Sequence, residues 1–302
     1  MYRIIIVALA SAIIFWVGSD ALQSVNFNSK EEHGSPSEYT SPSYQDFTDS
    51  TNESTTMIYE DDQGDDQVDN PISRERRTIY GTAVNDWAYP SIVSLQTQLG
   101  HMCGGTILTP ILILTAAHCL DITLAKLPIT HVVVSQTYPK TSYPISYYIP
   151  HPRYSSGPRP SNDIAMVLLG SRIQNALTIQ IQSQPLQVPV NAIAIAFGWG
   201  LTEQGIPSTQ LKVVELPLLH QSQCPNTYSY ENQWVCMNTR RKNVCSGDSG
   251  GPLFYNGKQI GIASAVTGLS YHTNLCMSGQ PAVFTRVSLY SSWIQQFINS
   301  YP

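Results

Sequence analysis

Short apolar runs with extended-chain character dominate the chain beyond residue 78. "SIVSLQ" (91–96), "THVVVSQ" (130–136), "AIAIAFGWG" (192–200) and "KQIGIASAV" (258–266) are β-branched or alternate along their length. In the third run Ile193, Ile195 and Phe197 alternate with alanines, the period of two that sends successive side chains to opposite faces of a strand. Pro, Gly, Asn and Ser gather between the runs and read as turns. Only the last segment changes period. In "SLYSSWIQQFINS", Leu289, Trp293 and Phe297 recur every fourth residue, as do Tyr290, Ile294 and Ile298, which predicts a helix. The pattern is that of an all-β domain closed by one C-terminal helix.

The start of the chain reads differently. Arg3, the apolar run from Ile4 to Gly18, and small residues at Gly18, Ser19 and Ala21 have the form of a secretory signal over residues 1–19. The run is short for a membrane span, and a retained anchor is the alternative reading. Residues 20–77 follow with fourteen acids against four bases, abundant Ser and Thr, no cysteine, and the closing "RERR". Such a composition buries too little apolar surface to fold alone, which predicts a disordered acidic pro-segment. Its "EDDQGDD" (60–66) lacks the oxygen spacing of a calcium loop, and the sequon at Asn52 falls elsewhere in the same acidic segment. Residues 78–302 hold seven acids and eleven bases, an excess too small and too scattered for a nucleic-acid surface.

All six cysteines, Cys103, Cys119, Cys224, Cys236, Cys245 and Cys276, lie in this last region. An even number behind a signal sequence points to disulfides, with about fifteen pairings open from sequence alone. No two sit at zinc-ligand spacing, so no metal or other cofactor is expected.

The chemistry centres on "NVCSGDSGGPLF" (243–254), where three glycines and a proline surround Ser249. A serine hydroxyl is a weak nucleophile until a base and a stabiliser of negative charge accompany it. The glycines leave the backbone N–H groups of Gly247 and Ser249 free to serve as that stabiliser. The base stands in "LTAAHC" as His118, and a carboxylate stands in "NDIAMVLL" as Asp163. His33, His101, His131, His151, His220 and His272 have no comparable context and read as surface or structural residues.

"CGGTILTPILILTAAHC", "HPRY", "NDIAMVLL", "GWG", "CSGDSGGP" and "SSWIQQFI" together, in this order, resemble the chymotrypsin and trypsin family of serine proteases from about Thr78 to Asn299. The resemblance implies two six-stranded antiparallel barrels with the C-terminal helix packed outside, an active site in the cleft between them, and disulfides Cys103–Cys119, Cys224–Cys236 and Cys245–Cys276. It implies a triad of His118, Asp163 and Ser249, with the oxyanion held by the N–H groups of Gly247 and Ser249. It further implies that cleavage after Arg77 frees an amine at Thr78 to pair with Asp248, an activation step needing a trypsin-like protease. Here the chain departs from the family, which starts its mature form with Ile or Val, a second aliphatic residue and two glycines, whereas this one reads Thr78-Ile79-Tyr80-Gly81. Ile79 is the alternative start.

For substrate binding, the resemblance assigns Asn243, Ser264, Val266 and Ala282 to the pocket for the residue before the scissile bond. Asn243 stands where relatives that cut after Arg or Lys carry an aspartate, so a preference for those residues is not expected. Val266 replaces a glycine at the mouth, which favours small or medium side chains. The family's calcium loop has no glutamate counterpart between His118 and Asp163. The expected partners are a polypeptide substrate, the activating protease and a protein inhibitor, in the extracellular space and off the membrane once the signal is removed. The competing class is a non-catalytic homologue that binds or regulates, a reading weakened because all three triad residues are present.

Overall fold

The computed structural model describes residues 81–302 apart from loop positions 126, 136–138, 157–159, 186–188, 190, 225–231, 241, 267–275 and 277–279. The expected signal, the acidic segment, and Arg77 and Thr78 lie outside the described residues.

A short strand β1 (Thr82–Ala83) leads in. The next six strands, β2 (Ile92–Thr97), β3 (Gly100–Thr109), β4 (Leu112–Thr115), β5 (His131–Val134), β6 (Thr141–Pro150) and β7 (Ala165–Leu169), close into a barrel in the order β2-β3-β4-β7-β6-β5, with β5 returning to β2. The second half is built from β8 (Ile193–Gly198), β9 (Lys212–Pro217), β10 (Trp234–Met237), β11 (Pro252–Tyr255), β12 (Lys258–Val266) and β13 (Ala282–Arg286). They run β9-β8-β11-β12-β13-β10, with β1 added on the free edge of β9. The far edge curls back: β10 meets the end of β9 through the bridge between Leu218 and Met237 and bonds from Leu219 N to Cys236 O and Asn238 N to Pro217 O. The first half is thus a closed barrel, free of open edges, whereas the second, expected as another six-stranded barrel, is a curled seven-stranded half-barrel with β1 and β10 at its edges.

Each half has its own core. Val93, Leu95, Ile107, Leu112, Leu114, Ile164 and Met166 fill the first, and Ile294 of the C-terminal helix α1 (Ser291–Ser300) packs onto it together with Trp293 and Phe297. Ala194, Ala196, Val214, Leu216, Leu253 and Phe284 fill the second. Between them lies a third layer in which Ile92 of the first barrel meets Phe197, Trp199 and Leu211 of the second. A buried polar tie crosses the same seam, with Thr106 Oγ1 donating to Gln259 Oε1 at 2.8 Å. An apolar layer and a satisfied buried bond hold the two halves at a fixed spacing, which a site shared between them requires.

Disulfides join Cys103 to Cys119, Cys224 to Cys236 and Cys245 to Cys276. The first ties β3 to the turn after β4 that carries His118.

Candidate active site

His118 sits in a single 3-10 turn (Ala117–Leu120) that follows the buried strand β4. Asp163 lies just before β7, completely buried, with its carbonyl oxygen accepting from Thr285 Oγ1 of β13 at 2.8 Å. Three donors converge on its carboxylate. The backbone N–H of His118 donates to Oδ1 at 2.8 Å, and Nδ1 of the same residue lies 2.7 Å from Oδ2. The hydroxyl of Ser264 donates to Oδ2 at 2.5 Å. A carboxylate so satisfied accepts the Nδ1 proton, which leaves Nε2 as the basic nitrogen of a neutral ring.

The charges follow from this geometry. Burial works against an ionised Asp163, yet the imidazole charge, its hydrogen bond and those from Ser264 and the His118 N–H outweigh burial and hold the carboxyl below its usual range. Burial likewise disfavours the charged form of His118, but the neighbouring Asp163 charge and hydrogen bond raise the imidazole above its ordinary value.

Backbone bonds fix the turn that carries Ser249. Its carbonyl oxygen accepts from Gly104 N at 2.7 Å, one residue from the disulfide whose other half adjoins His118. The next residue, Gly250, donates to Ala263 O at 2.8 Å, and Ala263 precedes the Ser264 that binds Asp163. His118 and Asp163 are thus joined directly, and the serine turn is bonded to β3 and β12. Cys103, His118 and Cys119 bring potential ligand atoms within 4.8 Å of one another, but both sulfurs are consumed in a disulfide, so no thiolate is offered to a metal there.

Gly247 takes φ +98°, a conformation open to glycine and costly for other residues. The peptide before it is pinned by Leu201 N donating to Ser246 O at 2.8 Å. The peptide after it is pinned by Asp248 N donating to Cys245 O at 2.9 Å. The carboxylate of Asp248 turns away from Ser249 into the interior, accepting from Cys245 N at 2.7 Å and Gly200 N at 2.8 Å. A Cβ on Gly200 would meet that carboxylate at 2.6 Å, so the glycine of "GWG" makes room for it. Burial, only partly offset by those two N–H groups, pushes Asp248 up to about 6, and among the described residues no cation pairs with it.

The pocket positions divide. Asn243 is fully buried, its amide donating to Cys276 O at 2.5 Å and its oxygen accepting from Val244 N at 2.8 Å. Ala282 is buried and pairs in register with Val266 and Met237. Ser264, assigned to the substrate pocket, aims its hydroxyl at Asp163. Sequence reasoning also passed over His101, whose Nε2 lies 2.8 Å from Gly247 O and whose Nδ1 lies 2.8 Å from Ser94 Oγ. The available signal was a polar pair: Ser94 and Gln96 alternate with Val93 and Leu95 on one face of β2, and Gln96 stands opposite His101.

The trypsin family model matches residues 78–294. Trypsin alpha of Drosophila melanogaster is 34% identical over 236 residues, covering 74% of this chain and 88% of the relative. Trypsin beta of Drosophila erecta is 33% identical over 228 residues, covering 72% and 87%. Human granzyme M is 34% identical over 233 residues, covering 72% and 88%. The chain belongs to the trypsin family of serine proteases, and it is a serine endopeptidase acting on polypeptide substrates.

Proposed function

We propose that the protein is a secreted zymogen whose cleaved form hydrolyses peptide bonds through Ser249, His118 and Asp163. The observation that carries the reading is the buried Asp163 carboxylate taking both the backbone and the ring N–H of His118, with Ser249 bonded through its carbonyl to Gly104, the neighbour of the Cys103 whose disulfide partner adjoins His118. In this reading Nε2 of His118 takes the Ser249 proton as Oγ attacks the carbonyl carbon, then returns it to the leaving amine. Asp163 keeps the tautomer and stabilises the imidazolium. The N–H groups of Gly247 and Ser249 receive the oxyanion, and water repeats the sequence on the acyl-enzyme. Among the described residues no helix is long and apolar enough to cross a membrane.

The test is a fluorophosphonate probe applied to the purified chain before and after trypsin, with Ser249→Ala alongside. Labelling is expected only in the cleaved wild type. A cleaved wild type that takes no label, or a labelled Ser249→Ala, overturns the assignment.

Specificity follows from Asn243. A guanidinium or ammonium entering beside this neutral, already bonded carboxamide would find no counter-charge. We infer a preference for small or medium uncharged side chains, and Asn243→Asp is expected to raise kcat/KM for peptides cut after Arg or Lys roughly 100-fold relative to those cut after Ala or Val. Profiling both forms on one peptide library checks this, and a wild-type profile led by Arg would refute it.

A further inference from the structure

Away from the triad, the second half carries a hollow of about 340 Å³, a size suited to a small ligand. Ile193 at the start of β8 stands opposite Pro217 at the end of β9, and with Leu216 they give the hollow an apolar floor. Ile193 is half exposed, so water covers a large apolar side chain there. The rest of the lining is polar or charged: Glu215 of β9 and, from the segment after β10, Asn238, Arg240 and Lys242.

That segment is held in place. Asn238 N donates to Pro217 O at 2.8 Å, Arg240 N to Asn238 Oδ1 at 3.1 Å, and Thr239 Oγ1 to Gln280 O at 2.6 Å. A backbone already ordered need not be ordered again when a ligand arrives. The charges on the rim are unequal. Lys242 Nζ lies 4.0 Å from Glu215 Oε2, a loose and solvent-exposed pair in which each charge offsets the other. Among the described residues no carboxylate pairs with Arg240.

An apolar floor beneath an unmatched guanidinium complements a molecule with an apolar tail and one anionic head. A carboxylate head matches the guanidinium fork in both shape and charge, and Lys242 can add a second cation. A concave hollow of this size also suits a small molecule rather than an extended chain. We propose that this hollow binds the anion of a medium-chain fatty acid, with its tail on Ile193, Leu216 and Pro217 and its carboxylate at Arg240 and Lys242. The site uses no triad residue and stands apart from the assignment of Ser249.

The test is isothermal titration calorimetry on the full chain carrying Ser249→Ala, which cannot digest itself. The titrants are sodium hexanoate, octanoate and decanoate, uncharged 1-octanol, and an acidic peptide of alternating glutamate and leucine. One decanoate is expected to bind with a Kd below about 1 mM. Full burial of a methylene gains about fourfold in affinity, so in a hollow open on one side each added carbon is expected to gain about twofold. Octanoate is expected to bind about tenfold more tightly than 1-octanol, with Arg240→Ala removing most of that difference and Lys242→Ala about threefold of it. Ile193→Ser is expected to weaken decanoate about fivefold, and Glu215→Gln, which removes a like charge from the rim, to strengthen it about twofold. Decanoate that does not saturate, wild-type affinity in Arg240→Ala or in Ile193→Ser, or 1-octanol as tight as octanoate overturns the proposal. So does a peptide that binds more tightly than decanoate and weakens in Arg240→Ala, since the hollow would then serve a protein segment. Lys242→Ala takes the place of Arg240→Ala if that variant does not fold.

Discussion

Asp163→Asn is expected to lower kcat about 10⁴-fold at neutral pH while the protein stays folded, a size taken from the same change in the Ser-His-Asp template of this fold. The reason is visible in the donors around the carboxylate. The backbone N–H of His118 donates to Oδ1 and has no alternative role, so the carboxamide oxygen of an asparagine must take that place. Its NH₂ is then forced to the Oδ2 position, facing Nδ1 and the Ser264 hydroxyl. The hydroxyl can rotate to accept, but the imidazole must give up its Nδ1 proton and carry one on Nε2 instead. A protonated Nε2 in a neutral ring cannot accept the proton of Ser249. The pH profile supplies a second readout. Asp163 now raises His118 against the opposing effect of burial, so removing its charge lets the imidazole fall. The acid limb of kcat/KM is therefore expected to move to lower pH in Asp163→Asn. A profile unmoved in position, or a loss below about tenfold, contradicts the role given to this carboxylate.

How much of this was legible beforehand depended on whether the signal was local. The strand runs at 91–96, 192–200 and 258–266 form β2, β8 and β12, because a period of two is a property of the backbone itself. Which face goes inward was less legible. In β8 the small Ala194 and Ala196 enter the barrel core, while Ile193 stays exposed and Ile195 and Phe197 join the layer between the barrels. A narrow barrel interior has room for methyl groups beside Leu216 and Phe284, so tertiary space overrode hydrophobic ranking. The motif residues His118, Asp163 and Ser249 could be singled out because each stands in a distinctive short context. Ser264 was assigned only to the substrate pocket and His101 only a surface or structural place, since the contacts they make are with partners 101 and 146 residues away along the chain. The glycines of "GWG" illustrate the same limit: their purpose becomes clear only where Asp248 fills the space a Cβ would occupy.

Cleavage after Arg77 is expected to raise activity on the order of 100- to 1000-fold, the amount an organised oxyanion donor supplies, and Asp248→Asn is expected to cancel most of that gain. Asp248 is buried beside the Gly247 turn with two N–H partners and a carboxyl raised to about 6. Its ionised form lacks a matching positive charge among the described residues, and an amine released at Thr78 would supply one. The stability of the uncleaved chain carries the signature of that deficit. A carboxyl with a folded value near 6 and an ordinary value of 3.8 binds more protons folded than unfolded between those two pH values. Stability therefore falls as pH rises from about 4 to about 6, by roughly 3 kcal/mol from this group if nothing else intervenes, and levels off above. Pairing with a new amine depresses the same carboxyl, so in the cleaved chain this contribution reverses and is lost on acidification instead. Urea unfolding of Ser249→Ala, cut and uncut, between pH 4 and pH 7 compares the two without self-digestion. Cut and uncut chains with the same pH slope, together with an Asp248→Asn enzyme that activates as fully as wild type, would place the activating charge somewhere other than Asp248.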